Sequence, residues 1–300
     1  MSMSRLARPL VAAASLLAAG HASALTIEFD YGYDDGTVRL SDGQKAILAS
    51  VADEFGARLT DTLDAATYRS IAFYDPGVAP TSAGSIVNQS NFTVAADTIH
   101  IFVAAAELDA LGSATLGSGG PGGGSGNDRG ELDVGATDFA PWGGQISFDI
   151  RSDWYLDDDP RTLETFSGFD FYSVAVHELA HVLGFGISNS WSTQVNATGF
   201  AGEASVAAYG GTVPLTGDDA HWANGTASFV NGVLQPAALT ASIASGSRKY
   251  MTELDWAALS DIGWQVAAAV PEPENWAMML AGLGLVGLGL HRRQSRCTPV

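Results

Sequence analysis

The segment His177-Glu178-Leu179-Ala180-His181 holds the residues of this chain best suited to chemistry. On an α-helix, positions four apart share a face, so both imidazoles can reach one zinc ion, while Glu178, one residue along, faces a water bound to it. Three neutral nitrogen ligands leave zinc an open fourth position, and the metal lowers the pKa of its bound water to about 7. Glu178 is then placed to accept that water's proton and to deliver it to a leaving amine. At the chain's own frequencies of His and Glu, the pattern is expected by chance roughly 0.004 times over the whole length. Two ordinary core histidines are the weaker reading, because two buried imidazoles and a buried carboxylate would all need partners.

Two histidines do not complete such a site. Of the six histidines, the region between the chain's two ends holds His100, His177, His181 and His221. His100 lies between Ile99 and Ile101 in a candidate strand and reads as a sheet-face residue. His221 lies in Gly217-Asp218-Asp219-Ala220-His221-Trp222, where no apolar periodicity accounts for it, and it is the favoured third ligand. Glu203, 22 residues beyond His181, is the rival, since some zinc hydrolases take a carboxylate from a following helix.

Several elements must position these groups. Asp170 is the expected N-cap of the helix that carries the motif, inside the apolar stretch Val174 to Phe185. Leu25 to Tyr31 reads as a strand, and Ser41 opens an amphipathic helix with Gln44 at the capping-box position and Ile47, Leu48, Val51 and Phe55 on one face. Tyr68 to Tyr74, Thr98 to Ala104, Leu132 to Phe139 and Gln145 to Ile150 read as further strands. A final short helix, about Leu254 to Ile262, is capped by Thr252 and stopped at Gly263. The glycine-rich stretch from Gly112 to Gly130 reads as a mobile loop, and with no lysine after its glycines it is not a phosphate loop. The run Asp157-Asp158-Asp159 reads as a solvated loop, with a Ca2+ site as the alternative. Together these elements give an α+β fold.

Charge and the chain ends bound the rest. The formal charge is −19, and between residues 25 and 270 there are nine basic and 31 acidic side chains, a net of −22. Nucleic acid is excluded as a partner on that ground. Cys297 is the sole cysteine, so no internal disulfide and no cysteine zinc site can form. A serine hydrolase would need a Gly-x-Ser-x-Gly elbow, which the chain lacks. Residues 1–24 read as a secretory signal peptide, with Arg5 and Arg8, the apolar run Leu10 to Ala19 and the cleavage site Ala22-Ser23-Ala24. Residues 270–296 hold Pro271-Glu272-Pro273, the apolar run Trp276 to Leu290 and His291-Arg292-Arg293. A 15-residue helix spans only about 22 Å, which makes it a marginal membrane anchor. The tripartite tail resembles the PEP-CTERM sorting signal, which implies transient anchoring by a short transmembrane helix in the inner membrane, cleavage by an exosortase-type enzyme, and a final location at the cell surface or outside the cell.

Residues 177–185, His-Glu-Leu-Ala-His-Val-Leu-Gly-Phe, resemble the active-site helix of the metzincins, in which the glycine, here Gly184, permits the sharp turn toward the third ligand. The compact form of that family would put histidine at position 187, where Ile187 stands. In the leishmanolysin-like branch an insertion separates the glycine from the third histidine, and Ala220-His221-Trp222 resembles that later ligand. Met251, in Lys249-Tyr250-Met251-Thr252, resembles the methionine turn beneath the metal, although alone it would read as core packing. The resemblance implies a zinc metallopeptidase domain over residues 25–268: a twisted mixed sheet with two helices in an upper lobe, an irregular lower lobe with a C-terminal helix, and a cleft between them. It implies an exported endopeptidase that acts on protein or peptide through a zinc-activated water, with His177, His181 and His221 on the metal and Glu178 as general base. The substrate would pair with an edge strand, for which Leu132 to Phe139 is the candidate. The alternative is a non-catalytic surface or extracellular-matrix binding protein on the same fold. The intact Glu178 argues against it, because a structural zinc site needs no general base.

Overall fold

The computed structural model describes residues 25–79, 85–108, 115–126, 129, 141–157, 159–162 and 164–268. The signal segment, the sorting tail with its apolar run, and the strand expected at Leu132–Phe139 lie outside them. Among the described residues no helix is long and apolar enough to cross a membrane.

The chain opens with β1 (Thr26–Asp30) and α1 (Asp42–Arg58). The expected capping box is present: the Ser41 hydroxyl accepts from Gln44 N while the Gln44 side chain accepts from Ser41 N, which satisfies donors the first turn cannot pair internally. Strands β2 (Ala66–Tyr74), β3 (Ile86–Val94) and β4 (Thr98–Ala106) follow, then β5 (Gly117–Pro121), β6 (Gly123–Gly126) and β7 (Gly143–Asp149). A short pair, β8 (Trp154–Tyr155) and β9 (Phe169–Asp170), leads into α2 (Phe171–Val182), the helix of the histidine motif. Beyond it come α3 (Asn189–Ser192), β10 (Val195–Asn196), β11 (Gly199–Phe200), α4 (Glu203–Tyr209), the hairpin β12 (Ala227–Val230) and β13 (Val233–Pro236), and α5 (Glu253–Asp261).

The central sheet is mixed, with order β1-β4-β7-β5: β1, β4 and β7 run parallel and β5 closes one edge antiparallel to β7. The alternation of β4 builds two layers at once. Ile99, Ile101 and Val103 face the core made with α1 and α2, where Leu48, Val51, Phe55, Ala175 and Leu179 are fully buried. Phe102, on the opposite face, packs with Trp142 and with Tyr68, Ile71 and Phe73 of the antiparallel sheet β3-β2-β6. Two helices therefore cover one face of the mixed sheet and a second sheet covers the other.

The glycine-rich stretch is not a loop where it is described, since residues 117–121 and 123–126 are strands. Glycine serves there for close approach rather than for mobility. A Cβ at Gly119 would stand 2.6 Å from the main-chain oxygen of Glu178, and one at Gly122 would stand 2.1 Å from the Trp142 ring. Only a bare backbone lets α2 and Trp142 settle onto these strands. The Asp157–Asp159 run also differs from the calcium alternative. Asp157 is buried and paired with Arg248 Nη1 at 2.8 Å, and Asp159 pairs with Arg161 at 2.8 Å, so guanidinium groups already neutralise these two carboxylates.

Gly119→Val should lower stability by about 1–3 kcal/mol, because the added carbon meets main chain that cannot yield as a side chain would. Gly217→Ala, where nothing lies within 4 Å, should change it by less than about 0.5 kcal/mol. Urea unfolding midpoints of the two variants check this, and equal midpoints would remove the close-approach account of the strand.

Candidate metal centre and active site

Asp170 caps α2 as expected. Its carboxylate accepts from Ser173 N at 3.1 Å and from Ser173 Oγ at 2.5 Å. The helix ends in a glycine-dependent cap: Gly184, at φ 101°, donates to His181 O, and Phe185 N donates to Ala180 O, both at 3.0 Å. Gly186 follows at φ 72°, where a Cβ would lie 2.3 Å from Ala220 O. The chain leaving the helix thus passes directly against the residue before His221. Sequence reasoning missed Gly186; its signal was a second glycine two residues after the helix stop.

Three histidines converge at this point. His181 Nε2 lies 3.1 Å from His177 Nε2 and 3.1 Å from His221 Nε2. Each opposite ring nitrogen meets an oxygen that can only accept: His177 Nδ1–H donates to Ala238 O at 2.9 Å, His181 Nδ1–H to Phe185 O at 2.8 Å, and His221 Nδ1–H to the Asp218 carboxylate at 3.0 Å. In neutral rings these acceptors put the protons on Nδ1, which leaves three Nε2 lone pairs pointing at one another with no hydrogen between them. That arrangement is repulsive unless a cation sits at the focus. Nitrogens on a tetrahedral zinc at about 2.05 Å would stand about 3.3 Å apart, close to the spacing seen. The donor set fits zinc, and it is the single cluster of three or more metal-ligating side chains among the described residues.

The electrostatics favour the neutral ring at His177 and at His181. Burial pushes His181 down to about 4, aided by His221, and burial followed by His181 holds His177 well below the usual imidazole range. Burial raises Asp218, but hydrogen bonds from Thr216, Ala220 and His221 outweigh it and bring the carboxyl to about 2, so it stays an acceptor for His221. Glu178 is 6% exposed and lies under β5. A Cβ at Gly117 would stand 2.7 Å from its Oε1. Burial pushes Glu178 up to about 8, and a backbone hydrogen bond from Gly119 pulls the other way.

Asp255 was legible only as part of the last helix, yet it organises the site. Fully buried on α5, it accepts five hydrogen bonds: from Trp222 Nε1 (2.9 Å), Ala238 N (2.9 Å), Leu239 N (3.3 Å), Thr252 N (2.8 Å) and Thr252 Oγ1 (2.7 Å). Burial raises its pKa and these donors oppose the rise. Trp222 adjoins His221, Ala238 supplies the carbonyl that orients His177, and Thr252 adjoins Met251, which is buried just before α5. On the helix side, Ser173 Oγ accepts from Lys249 N at 2.7 Å, and Arg248 pairs with the Asp170 cap at 2.8 Å, so the segment 248–251 is pinned to the first turn of α2.

His100 lies on β4 beside Glu28 and Asp30, away from the cluster, as a sheet-face residue. Glu203 opens α4 and lines a different recess with Thr60, Asp261 and Trp264; it is not in the cluster. The cluster instead sits in a cleft of about 590 Å³ bounded by Thr115–Gly119, the α2 face bearing His177 and Glu178, His221, and the segment 240–243. Ile187, the residue at the compact family position, is half exposed on its rim.

Asp255→Asn should lower stability by about 2–4 kcal/mol, because an amide brings its own N–H donors to a site built from donors. Retention of added zinc should weaken about tenfold or more, since groups that orient ligands tune metal affinity. Unfolding curves with and without zinc check both effects; a variant with unchanged zinc affinity would separate Asp255 from the site.

Comparison with known proteins bears on this geometry. No curated protein and no solved structure matches the chain. The matrixin family model matches residues 121–198, a span that holds His177, Glu178, His181 and Gly184 and stops short of His221 and Met251. The PEP-CTERM protein-sorting motif matches residues 269–293. The two resemblances legible in the sequence, to metzincins and to the PEP-CTERM signal, thus each have a family model that matches this chain, the first through the matrixins, a metzincin family.

Proposed function

We propose that the chain is an exported zinc-dependent endopeptidase. The observation that carries this reading is the convergence of three histidine Nε2 atoms beside a buried carboxylate in a cleft edged by a β-strand. His177, His181 and His221 would hold the metal, with Gly184 turning the chain toward His221 and Met251 packed beneath the centre. When bound, zinc supplies a Lewis acid for the scissile carbonyl, a lowered pKa for water and a positive charge that favours ionised Glu178.

The chain's own residues supply the rest. β5 is the antiparallel edge of the mixed sheet and borders the cleft, so an extended peptide can pair with its backbone, the role first assigned to Leu132–Phe139. The glycines of β5 keep that strand close to Glu178, whose carboxylate accepts a proton from the attacking water and delivers it to the leaving amine. Ala238 O, Phe185 O and Asp218 hold the three rings in the tautomer that presents Nε2. The two-lobed arrangement implied by the metzincin resemblance, with the cleft between lobes, belongs to this reading. The sorting motif supports export, processing by an exosortase-type enzyme, and transient membrane anchoring through Trp276 to Leu290.

Purified protein should hold about one zinc per chain, and His221→Ala should lose most of it while Glu203→Ala keeps it, as read by elemental analysis. Retention by His221→Ala would remove that residue from the ligand set. Glu178→Gln should keep the metal yet lose casein cleavage by a factor of about 100 to 10,000, the range assigned to a positioned general base. A wild type that binds zinc but cleaves no protein would return the surface-binding alternative.

A further inference from the structure

The cleft continues past His177 into a recess between the first half of α2 and the segment Ala238–Ile243. Its lining there mixes the apolar Phe169, Ala241 and Ile243 with Ser173, Thr240 and Ser242. The sole lysine or arginine among the lining residues is Lys249, itself only 7% exposed. Its ammonium donates to Thr240 Oγ1 and, at 2.6 Å, to Ser242 O. An ammonium carries three N–H donors, so one is left without an acceptor among the described residues. Asp255, the acid whose charge it feels, is already filled by five donors and forms no ion pair with it. Burial lowers the lysine's pKa from its usual value, and the charge of Asp255 opposes that. An aliphatic side chain in the same recess would leave the third donor unmet, an amide would supply an acceptor without the charge, and a carboxylate would supply both.

We propose that this recess receives an acidic side chain, aspartate or glutamate, of a peptide lying in the cleft, and that Lys249 is the residue that selects it. The proposal rests on the peptidase reading above. It also runs against the simplest expectation from net charge, under which a domain at −22 would prefer neutral or basic partners.

Two readouts test the proposal with the zinc-loaded protein. Wild type is given matched peptide sets in which each position flanking the cleaved bond is Glu, Gln, Leu or Lys in turn. Glu178→Gln protein, which should bind without turnover, is titrated with the same peptides by calorimetry. At one position Glu should be cleaved and bound at least about tenfold better than Gln, with Lys the poorest. In Lys249→Gln the Glu-to-Gln ratio should fall to about one, and Lys249→Arg should restore part of it. Cleavage without any acidic preference in wild type overturns the role of Lys249 and leaves the peptidase reading intact, whatever the folding of the variants. Lys249-dependent binding of the Glu peptides without cleavage supports the recess and sinks the peptidase. Absence of both binding and cleavage overturns the two together.

Discussion

A buried carboxylate that must be fully hydrogen-bonded governs how this site is assembled. His177 and His181 need no help to face one another, because helix geometry places residues four apart on one face. His221 is 40 residues further on and has no such guarantee. Asp255 supplies it by gathering Trp222, Ala238, Leu239 and Thr252 around two oxygens. Desolvating that carboxylate is costly, and the cost is offset only when all five donors are in place. The third histidine, the carbonyl orienting the first and the methionine before α5 are therefore tied together through one carboxylate. The aromatic stack of Phe185, Trp191, Phe200 and Trp222 adds apolar packing on the same side, with Trp191 and Phe200 at 3.9 Å between centroids.

A second constraint acts from the other end of α2. Arg248 bridges Asp157 and Asp170, both buried, and also donates to Pro160 O and Thr162 O. An isolated guanidinium or carboxylate in that place would be strongly destabilising, whereas the paired set is self-consistent and fixes Asp157, Pro160 and Thr162 near the N-terminus of α2. The run of aspartates looks like a solvated loop by type alone. One of its members faces inward because a single arginine 91 residues away needs it.

What was legible in the sequence follows the range of the interactions. The histidine motif, the Asp170 cap, the Ser41 capping box and the Thr252 cap are short-range patterns, and the structure reproduces each. β1, β2, β4 and β7 were legible from β-branched and aromatic alternation, with ends shifted by a residue or two. β5 and β6 were not, because glycine carries no apolar period and the reason for it lies in the ring or helix that presses on it. The strand role of Ile86–Val94 was missed because its residues are largely exposed and polar, so alternation is weak. His221 was reached by elimination among four histidines, and it does join the cluster. Asp255 looked like any acid in the first turn of a helix. Its role depends on three segments that sequence distance does not bring together.

Net charge and local charge act over different ranges at this site. A surplus of acids on the surface repels an anionic peptide at distance, but physiological salt screens exposed charges beyond about 8 Å. A buried ammonium is screened far less, and its effect is felt only by a group that has entered the recess. On the proposed reading, overall acidity governs how often a peptide arrives, and the cleft wall governs which side chain is held once it is there. The wall is also mechanically tied to the chemistry: Lys249 N bonds Ser173 on α2, while its ammonium holds Thr240 and Ser242 of the opposite segment. The residue with the unused donor is thus part of the frame that sets the distance between the histidine helix and the far wall. The proposed selection of a side chain and the spacing of the histidine cluster thus depend on the same few hydrogen bonds.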